Sequence, residues 1–182
     1  MLIPNKLFLT KGTGQHREKL GSFEMALRNA GIAPYNLVEV SSIIPPNCRI
    51  ISKEEGLRLL NPGQITFCVL AKQQTDEYNR LLAASVGLAI PGDSNLHGYL
   101  SEHHSFGETE ETAGNYSEYL AIDMLGSTLG LEINIDSARG NNNQSWKLSG
   151  KIFKTQNITA ATVNKEGIWT TVVAAAVFAD FE

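Results

Sequence analysis

Residues 64–71 read QITFCVLA and have apolar side chains at both odd and even positions. Successive side chains of a β-strand point to opposite faces of its sheet, so the pattern predicts a strand that is covered on both faces. A strand of this kind lies in an inner layer of a domain. The stretch therefore indicates a layered fold in which a sheet is packed between other elements.

Helices and further strands are predicted on either side of this stretch. Apolar residues at helical spacing predict a helix over 18–30, ended by Gly31, and Thr109 is expected to cap a second long helix over 109–125. The remaining predicted elements are a short helix at 54–60 and strands at 7–9, 36–40, 82–90, 96–103, 146–154 and 169–181. Because strands and helices do not alternate strictly, we expect an α/β fold of the layered αββα sandwich type. Its sheets are expected to be mostly antiparallel and covered by two long helices.

Composition narrows the class of protein. The chain has 182 residues, 42% of them hydrophobic, with a net charge of −4, which suits one domain over residues 1–182 and argues against nucleic-acid binding. The longest apolar run, residues 172–179, is too short to span a membrane, and the N-terminus lacks a secretory signal pattern. Cys48 and Cys68 have no metal-ligand or redox spacing. A cytoplasmic protein is expected, with an asparagine-rich surface loop at residues 137–145.

Two motifs resemble a phosphate-binding loop and a metal site, but the spacing of their residues does not support either interpretation. Residues 12–14 read GTG before a helix but lack the further glycine and lysine of a phosphate-binding loop, so they predict a strand-to-helix turn. His97, His103 and His104 are close in sequence. On a strand, however, His103 and His104 point to opposite faces, so at most one of them can join His97 around a metal. No metal site is therefore expected.

Two glutamates have positions open to two interpretations. Glu102 has the strand parity of Leu100 and an apolar face, so its carboxyl is either protonated, paired or at a cavity rim, or else solvated at a frayed strand end. Glu24 lies on the flank of the apolar stripe of the first helix. It borders either a cleft or only the edge of the core.

Residues 38–46, VEVSSIIPP, are the most unusual segment. A strand that runs into two serines, two isoleucines and two prolines has a stiff and sharply redirected backbone. With residues 22–32 (SFEMALRNAGI) and 98–102 (GYLSE), this segment resembles the pyruvoyl-dependent arginine decarboxylases. The resemblance covers most of the chain and is strongest up to Pro46.

The resemblance implies self-cleavage between Ser41 and Ser42, into residues 1–41 (the beta chain) and 42–182 (the alpha chain). The Ser42 hydroxyl attacks the preceding carbonyl, the resulting ester undergoes β-elimination, and hydrolysis leaves a pyruvoyl group at position 42. This covalent cofactor forms a Schiff base with the substrate amine and accepts the electrons left by carbon dioxide. The implied reaction converts L-arginine to agmatine without a metal.

The resemblance also implies residue roles. Glu102 matches the proton donor, and Glu24 stands where the family usually has an aspartate that binds the substrate guanidinium. Asn36, Leu27 and Ser41 are implied as further substrate-binding residues. The family forms homotrimers, often paired into hexamers, with active sites between neighbours. Two other functions stay open: an unprocessed, non-catalytic oligomer of the same fold, and a decarboxylase for another cationic amino acid.

Overall fold

The computed structural model describes residues 2–131, 145–148 and 151–181. All of the asparagine-rich loop predicted at residues 137–145 except Ser145 lies outside these ranges. Three helices are described, α1 (Lys19–Ala30), α2 (Lys53–Arg58) and α3 (Glu110–Thr128). The described strands are β1 (Pro4–His16), β2 (Asn36–Glu39), β3 (Ile43–Ile44), β4 (Arg49–Ile51), β5 (Ile65–Thr75), β6 (Leu81–Pro91), β7 (Gly98–Phe106), β8 (Ser145–Leu148), β9 (Lys151–Val163) and β10 (Trp169–Phe181).

The described strands form two five-stranded sheets. The first sheet has the order β2-β5-β10-β1-β4, and the second has the order β3-β7-β6-β9-β8. Every neighbouring pair in the second sheet is antiparallel, whereas β2–β5 and β1–β4 in the first sheet are parallel. The prediction of an α/β fold with mostly antiparallel sheets is confirmed.

The inner layers are apolar on the faces that meet. One core cluster contains Val69 and Val172 from the first sheet together with Val86 and Leu100 from the second. Helix α1 packs on β1 and β10, and α3 packs on β6, β7 and β9, so each sheet carries a helix on its other face. Strand β5 has Val69 towards the second sheet and Cys68 towards α1, as the apolar pattern of residues 64–71 predicted.

The helix ends follow their predicted caps, but the helices differ in length. Gly31 ends α1 with a φ of 81°, a left-handed conformation that glycine adopts without strain. The Thr109 side chain caps α3 by accepting a hydrogen bond from the Thr112 backbone N–H. Helix α3 has 19 residues, α1 has 12, and α2 is a third helix of six.

The prediction of a turn at Gly12 was wrong, because residues 12–14 lie within the long strand β1. A Cβ atom at Gly12 would collide with the backbone of Ala26 in α1, and one at Gly14 would collide with Ser22 and Ala26. These glycines let the α1 backbone approach the sheet closely. They serve packing and do not form a phosphate-binding turn.

Other boundaries also differ from prediction. The region expected as one strand at 146–154 contains two antiparallel strands, β8 and β9. Strand β7 begins at Gly98, so Leu96 precedes it. Within the described part of the chain, no helix combines the length and apolar character needed to cross a membrane.

Candidate active site

The segment between β2 and β3 crosses from the first sheet to the second. At its start, the Val40 backbone N–H donates to the Cys68 carbonyl of β5 at 3.0 Å. At its end, the Ser42 carbonyl accepts a hydrogen bond from the Leu100 N–H of β7 at 2.8 Å. Ser41 therefore lies at a bridge between two edge strands, each of which is held to its own sheet.

A three-residue turn surrounds the peptide bond between the two serines. The Ile43 N–H donates to the Ser41 carbonyl oxygen at 2.9 Å, which places Ser42 at the centre of the turn. Ser41 is exposed and Ser42 is half-buried. A donor on a carbonyl oxygen stabilises negative charge that develops there during nucleophilic attack. The turn thus places a backbone donor on the Ser41 carbonyl oxygen.

Glu102 lies on β7, two residues after the Leu100 N–H that binds Ser42. Although its side chain is exposed, partial desolvation is the largest cause that raises the pKa of Glu102, and the negative charge of Glu39 raises that pKa further. The electrostatic interaction with His104 lowers the pKa of Glu102 and partly offsets these two effects. The site therefore favours the protonated form of Glu102 more than water does.

Glu39 was not singled out from the sequence, but the structure places it beside the site. It ends β2 opposite Cys68 of β5. Burial raises the pKa of the Cys68 thiol to about 12, and the carboxylates of Glu39 and Glu102 contribute to that shift. Glu39 and Glu102 are thus neighbours across the two sheets. The sequence signal was weak, because only the pairing of β2 with β5 gives Glu39 this position.

Helix α1 contributes Glu24 and Leu27. Leu27 is buried in the cluster that also contains Cys68, with Leu37 of β2 packed against it, so this side of α1 faces the edge of the sheet that leads to Ser41. Glu24 is half-buried, and its Oε1 accepts a hydrogen bond from the Arg28 Nε at 2.9 Å. A carboxylate on this flank is therefore available to a cation.

Asn36 lies at the opposite end of β2. Its Nδ2 donates to the Gly63 carbonyl at 2.7 Å, and the strand rises about 10 Å between Asn36 and Glu39. In the described part of the chain, no hydrogen bond joins Asn36 or Glu24 to Ser42. One chain therefore anchors Ser42 to β7 two residues from Glu102 and holds Asn36 at the far end of β2.

The histidines that were weighed as metal ligands make other contacts. His103 is hydrogen-bonded to Glu108 at 2.8 Å, and this bond together with one from Ser105 lowers the pKa of Glu108 against the opposing effect of burial. His97 contacts the ring of Tyr99. Among the described residues, no group of three or more His, Cys, Asp or Glu side chains is arranged to hold a metal ion.

Comparison with known proteins identifies the family of the chain. A family model described as pyruvoyl-dependent arginine decarboxylase matches residues 6–182. The pyruvoyl-dependent arginine decarboxylase of Methanococcoides burtonii is 56% identical over 178 residues, covering 97% of this chain and 99% of the relative. A probable pyruvoyl-dependent arginine decarboxylase of Chloroherpeton thalassium is 55% identical, covering 96% and 97%, and pyruvoyl-dependent arginine decarboxylase 2 of Methanosarcina acetivorans is 54% identical, covering 97% of both. Because the family model matches nearly the whole chain and these relatives share more than half of its residues over almost their full length, the chain belongs to the pyruvoyl-dependent arginine decarboxylase family.

Proposed function

We propose that this protein cleaves itself between Ser41 and Ser42 and then decarboxylates L-arginine to agmatine and carbon dioxide. The observation that carries the proposal is the turn at Ser42, in which the Ile43 N–H donates to the Ser41 carbonyl. An ordinary connection between two sheets does not require the carbonyl before a serine to be held by a donor. Family membership supplies the reaction and the amino acid.

Cleavage uses groups of this chain alone. The Ser42 hydroxyl adds to the Ser41 carbonyl carbon, the Ser41–Ser42 C–N bond breaks, and the amide becomes an ester with a free amine on residue 42. Loss of the Ser42 α-proton then breaks the Cβ–Oγ bond and releases the Ser41 carboxylate. Water replaces the nitrogen of the remaining dehydroalanine and releases ammonia. The Ile43 N–H stabilises the oxygen charge of the first addition.

The residues around position 42 fit a pyruvoyl group. The hydrogen bond from Leu100 binds the carbonyl of residue 42 itself, so it does not depend on the bond to Ser41. Position 42 therefore stays fixed to β7 after cleavage. The pyruvoyl group supplies an electrophilic carbonyl that withdraws electrons from the substrate's α-carbon, a task that pyridoxal phosphate performs in other decarboxylases. Glu102 is two residues from the Leu100 anchor, close enough in the strand to serve the same site.

The side chains divide the remaining tasks. Glu102, whose pKa is raised, keeps a proton that it returns to the substrate α-carbon after carbon dioxide leaves. The Glu24 carboxylate binds the substrate guanidinium, since carboxylates and guanidinium groups pair through two parallel hydrogen bonds. Leu27 supplies an apolar wall for the aliphatic part of the substrate. Ser41, the last residue of the 1–41 fragment, also contributes to substrate binding.

We propose that the catalytic unit is a homotrimer, paired or not into a hexamer. The position of Asn36 supports this assembly: it lies at the far end of β2 from Ser42, so it reaches a pyruvoyl group most directly in a neighbouring subunit. Within each subunit the fold is a four-layer αββα sandwich, divided after cleavage into residues 1–41 and 42–182. A cytoplasmic location fits the free thiols of Cys48 and Cys68.

Intact mass measurement of the purified protein tests the cleavage. The wild type is expected to give two fragments that meet between residues 41 and 42, the larger one with a blocked N-terminus. Ser42→Ala removes the attacking hydroxyl and is expected to leave one full-length chain. Ser41→Ala is the matched control, because only the carbonyl of residue 41 is attacked. A wild type that stays intact would support the unprocessed, non-catalytic oligomer instead. Cleavage in Ser42→Ala would exclude the Ser42 hydroxyl as the attacking group and contradict the proposed reaction.

Carbon dioxide release from L-arginine, L-lysine, L-ornithine and L-histidine tests the substrate. L-arginine is expected to be the best of the four. Glu24→Gln should raise the Michaelis constant for arginine about 10- to 100-fold, the usual effect of losing a charge-assisted hydrogen bond, while self-cleavage persists. A better rate with ornithine or lysine would favour a decarboxylase for another cationic amino acid. Unchanged arginine kinetics in Glu24→Gln would remove Glu24 from the site.

A further inference from the structure

The carboxylate assigned to the substrate guanidinium is already paired with a guanidinium of this chain. Arg28 follows Glu24 by one helical turn, and its Nε lies 2.9 Å from the Glu24 Oε1. Both side chains are partly exposed, at 64% for Arg28 and 44% for Glu24. The pair is therefore reachable by a small cation from solvent, and it is weak enough to open, as exposed pairs at this spacing are.

The geometry of this pair has a consequence for substrate binding. A guanidinium that binds a carboxylate by two parallel hydrogen bonds needs both carboxylate oxygens, and Arg28 occupies Oε1. An ammonium group needs only one oxygen, because it acts as a compact point charge. The Arg28 charge also neutralises the negative charge that attracts the substrate. The pair therefore opposes a guanidinium more than it opposes an ammonium group.

We propose that Arg28 is a specificity-determining residue that competes with the substrate for Glu24. This inference rests on the proposed function of Glu24. Arg28 weakens the binding of arginine and narrows its advantage over shorter substrates that end in an ammonium group. Its effect is confined to binding, because Arg28 acts through Glu24 and takes no part in the proposed steps at position 42.

The test compares Arg28→Met with the wild type in Michaelis–Menten kinetics on L-arginine and L-ornithine. Methionine keeps the length and the helix propensity of the side chain while removing the charge. The Michaelis constant for arginine is expected to fall about two- to fivefold with kcat unchanged, in line with the small strength of an exposed ion pair. The ratio of arginine to ornithine kcat/KM should rise. Arg28→Lys keeps a positive charge and should stay close to the wild type.

Two further variants make the outcome specific. Arg58→Met is the matched control, since Arg58 is also an exposed arginine in the last turn of a helix but lies on α2. When Arg28→Met is added to Glu24→Gln, it should no longer lower the Michaelis constant for arginine. The carboxylate for which Arg28 and the substrate compete is absent in that variant. A constant that is unchanged or higher in Arg28→Met, or a decrease that persists in Glu24→Gln, would overturn the inference. The proposed role of Glu24 would stand as long as Glu24→Gln alone impairs arginine binding. Unchanged arginine kinetics in Glu24→Gln would remove Glu24 from the site and leave the proposed cleavage and decarboxylation untouched.

Discussion

The carboxyl group of Glu102 owes its properties to two causes that act together. Partial burial disfavours its charged form, and the neighbouring Glu39 carboxylate disfavours it further. A solvated glutamate at a frayed strand end would show neither effect. Glu102 lies in the middle of β7 and not at a frayed strand end, although its side chain is exposed. A general acid benefits from a raised pKa, because it must still hold its proton when the reaction requires it.

Glu102→Gln tests the role of this carboxyl in turnover. Glutamine keeps the shape of the side chain but cannot supply the proton, so kcat should fall about 10²- to 10⁴-fold. Cleavage at Ser42 should persist, since it does not use Glu102. Steady-state carbon dioxide release, measured on protein whose processing has been confirmed by mass, gives the answer. Nearly normal turnover in a fully processed variant would exclude Glu102 as the donor.

The raised pKa of Glu102 also predicts a dependence of stability on pH. The folded protein keeps this proton to a higher pH than the unfolded chain, whose glutamates titrate near pH ~4.3. The stabilising contribution is complete below that pH and is lost as the pH rises through the folded value. Urea unfolding of uncleaved Ser42→Ala protein should thus show that Glu102→Gln loses less stability between pH 4 and pH 7 than its parent.

A matched variant, Glu166→Gln, controls for the removal of one negative charge. Glu166 is exposed between β9 and β10 and away from the Glu39–Glu102 pair. It should follow the parent protein across the pH range. Equal pH profiles for Glu102→Gln and Glu166→Gln would contradict the assigned cause of the shift.

At the scale of elements, the contact between β1 and α1 fixes where the first helix lies. Gly12 and Gly14 face Ala26 and its neighbours with no side chain between the two backbones. The buried hydroxyl of Ser22 joins the same contact through a 2.7 Å hydrogen bond to Thr171 of β10. Because Glu24 and Leu27 are part of this helix, the close approach of α1 to the sheet also sets the position of these two side chains, to which we assign substrate binding.

Gly12→Ala should therefore destabilise the fold although alanine is small. Its Cβ would meet the α1 backbone, which cannot move aside as a flexible side chain can, and overpacking of this kind costs about 1–3 kcal/mol. Thr13→Val is the matched control on the same strand, since Thr13 is exposed. Urea denaturation should show a lower midpoint for Gly12→Ala alone. Equal midpoints for the two variants would argue that α1 does not pack this closely.

At the scale of the whole molecule, residues 1–41 are integral to the first sheet. Strand β1 pairs antiparallel with β10 from Pro4–Phe181 to His16–Trp169, and β2 pairs with β5. The fully buried Phe8 and Ala26 belong to the same apolar cluster as Val173 of β10. The proposed cleavage after Ser41 interrupts the backbone at one place and leaves these contacts intact. Self-processing is thus compatible with an unchanged fold.

We therefore expect the two fragments to stay associated after cleavage. Processed wild type and uncleaved Ser42→Ala should elute together in gel filtration. Their native masses should also agree, apart from the small differences due to the water gained, the ammonia lost and the substitution itself. Residues 1–41 should separate only in denaturant. Loss of the small fragment under native conditions would show that the contacts of β1 with β10 do not hold it. The same native mass measures the number of subunits in the assembly.

Local patterns in the sequence were sufficient for much of the molecule. The apolar residues at both odd and even positions of 64–71, the Thr109 cap and the Gly31 cap are features of neighbouring residues, and the structure confirms each of these predictions. The segment around Ser41 and Ser42 was also recognisable, because its serines and prolines stand together in the chain. Such features need no knowledge of distant contacts, since strand alternation and helix capping are properties of a few consecutive residues.

Only the tertiary structure decided the features that depend on residues far apart in sequence. The residues next to Gly12 in the sequence predict a turn. The helix residues that pack against Gly12 are distant from it in the sequence, so this packing could not be predicted locally. The pairing of β2 with β5 places Glu39 where its charge acts on Glu102. The pairing of β3 with β7 places Ser42 beside the strand that carries Glu102. The donors on the two serine carbonyls are backbone N–H groups, which every residue except proline carries and no side-chain pattern reveals. The segment around Ser42 was thus recognisable from local sequence, while its electrostatic and hydrogen-bonding surroundings depend on the way the two sheets meet.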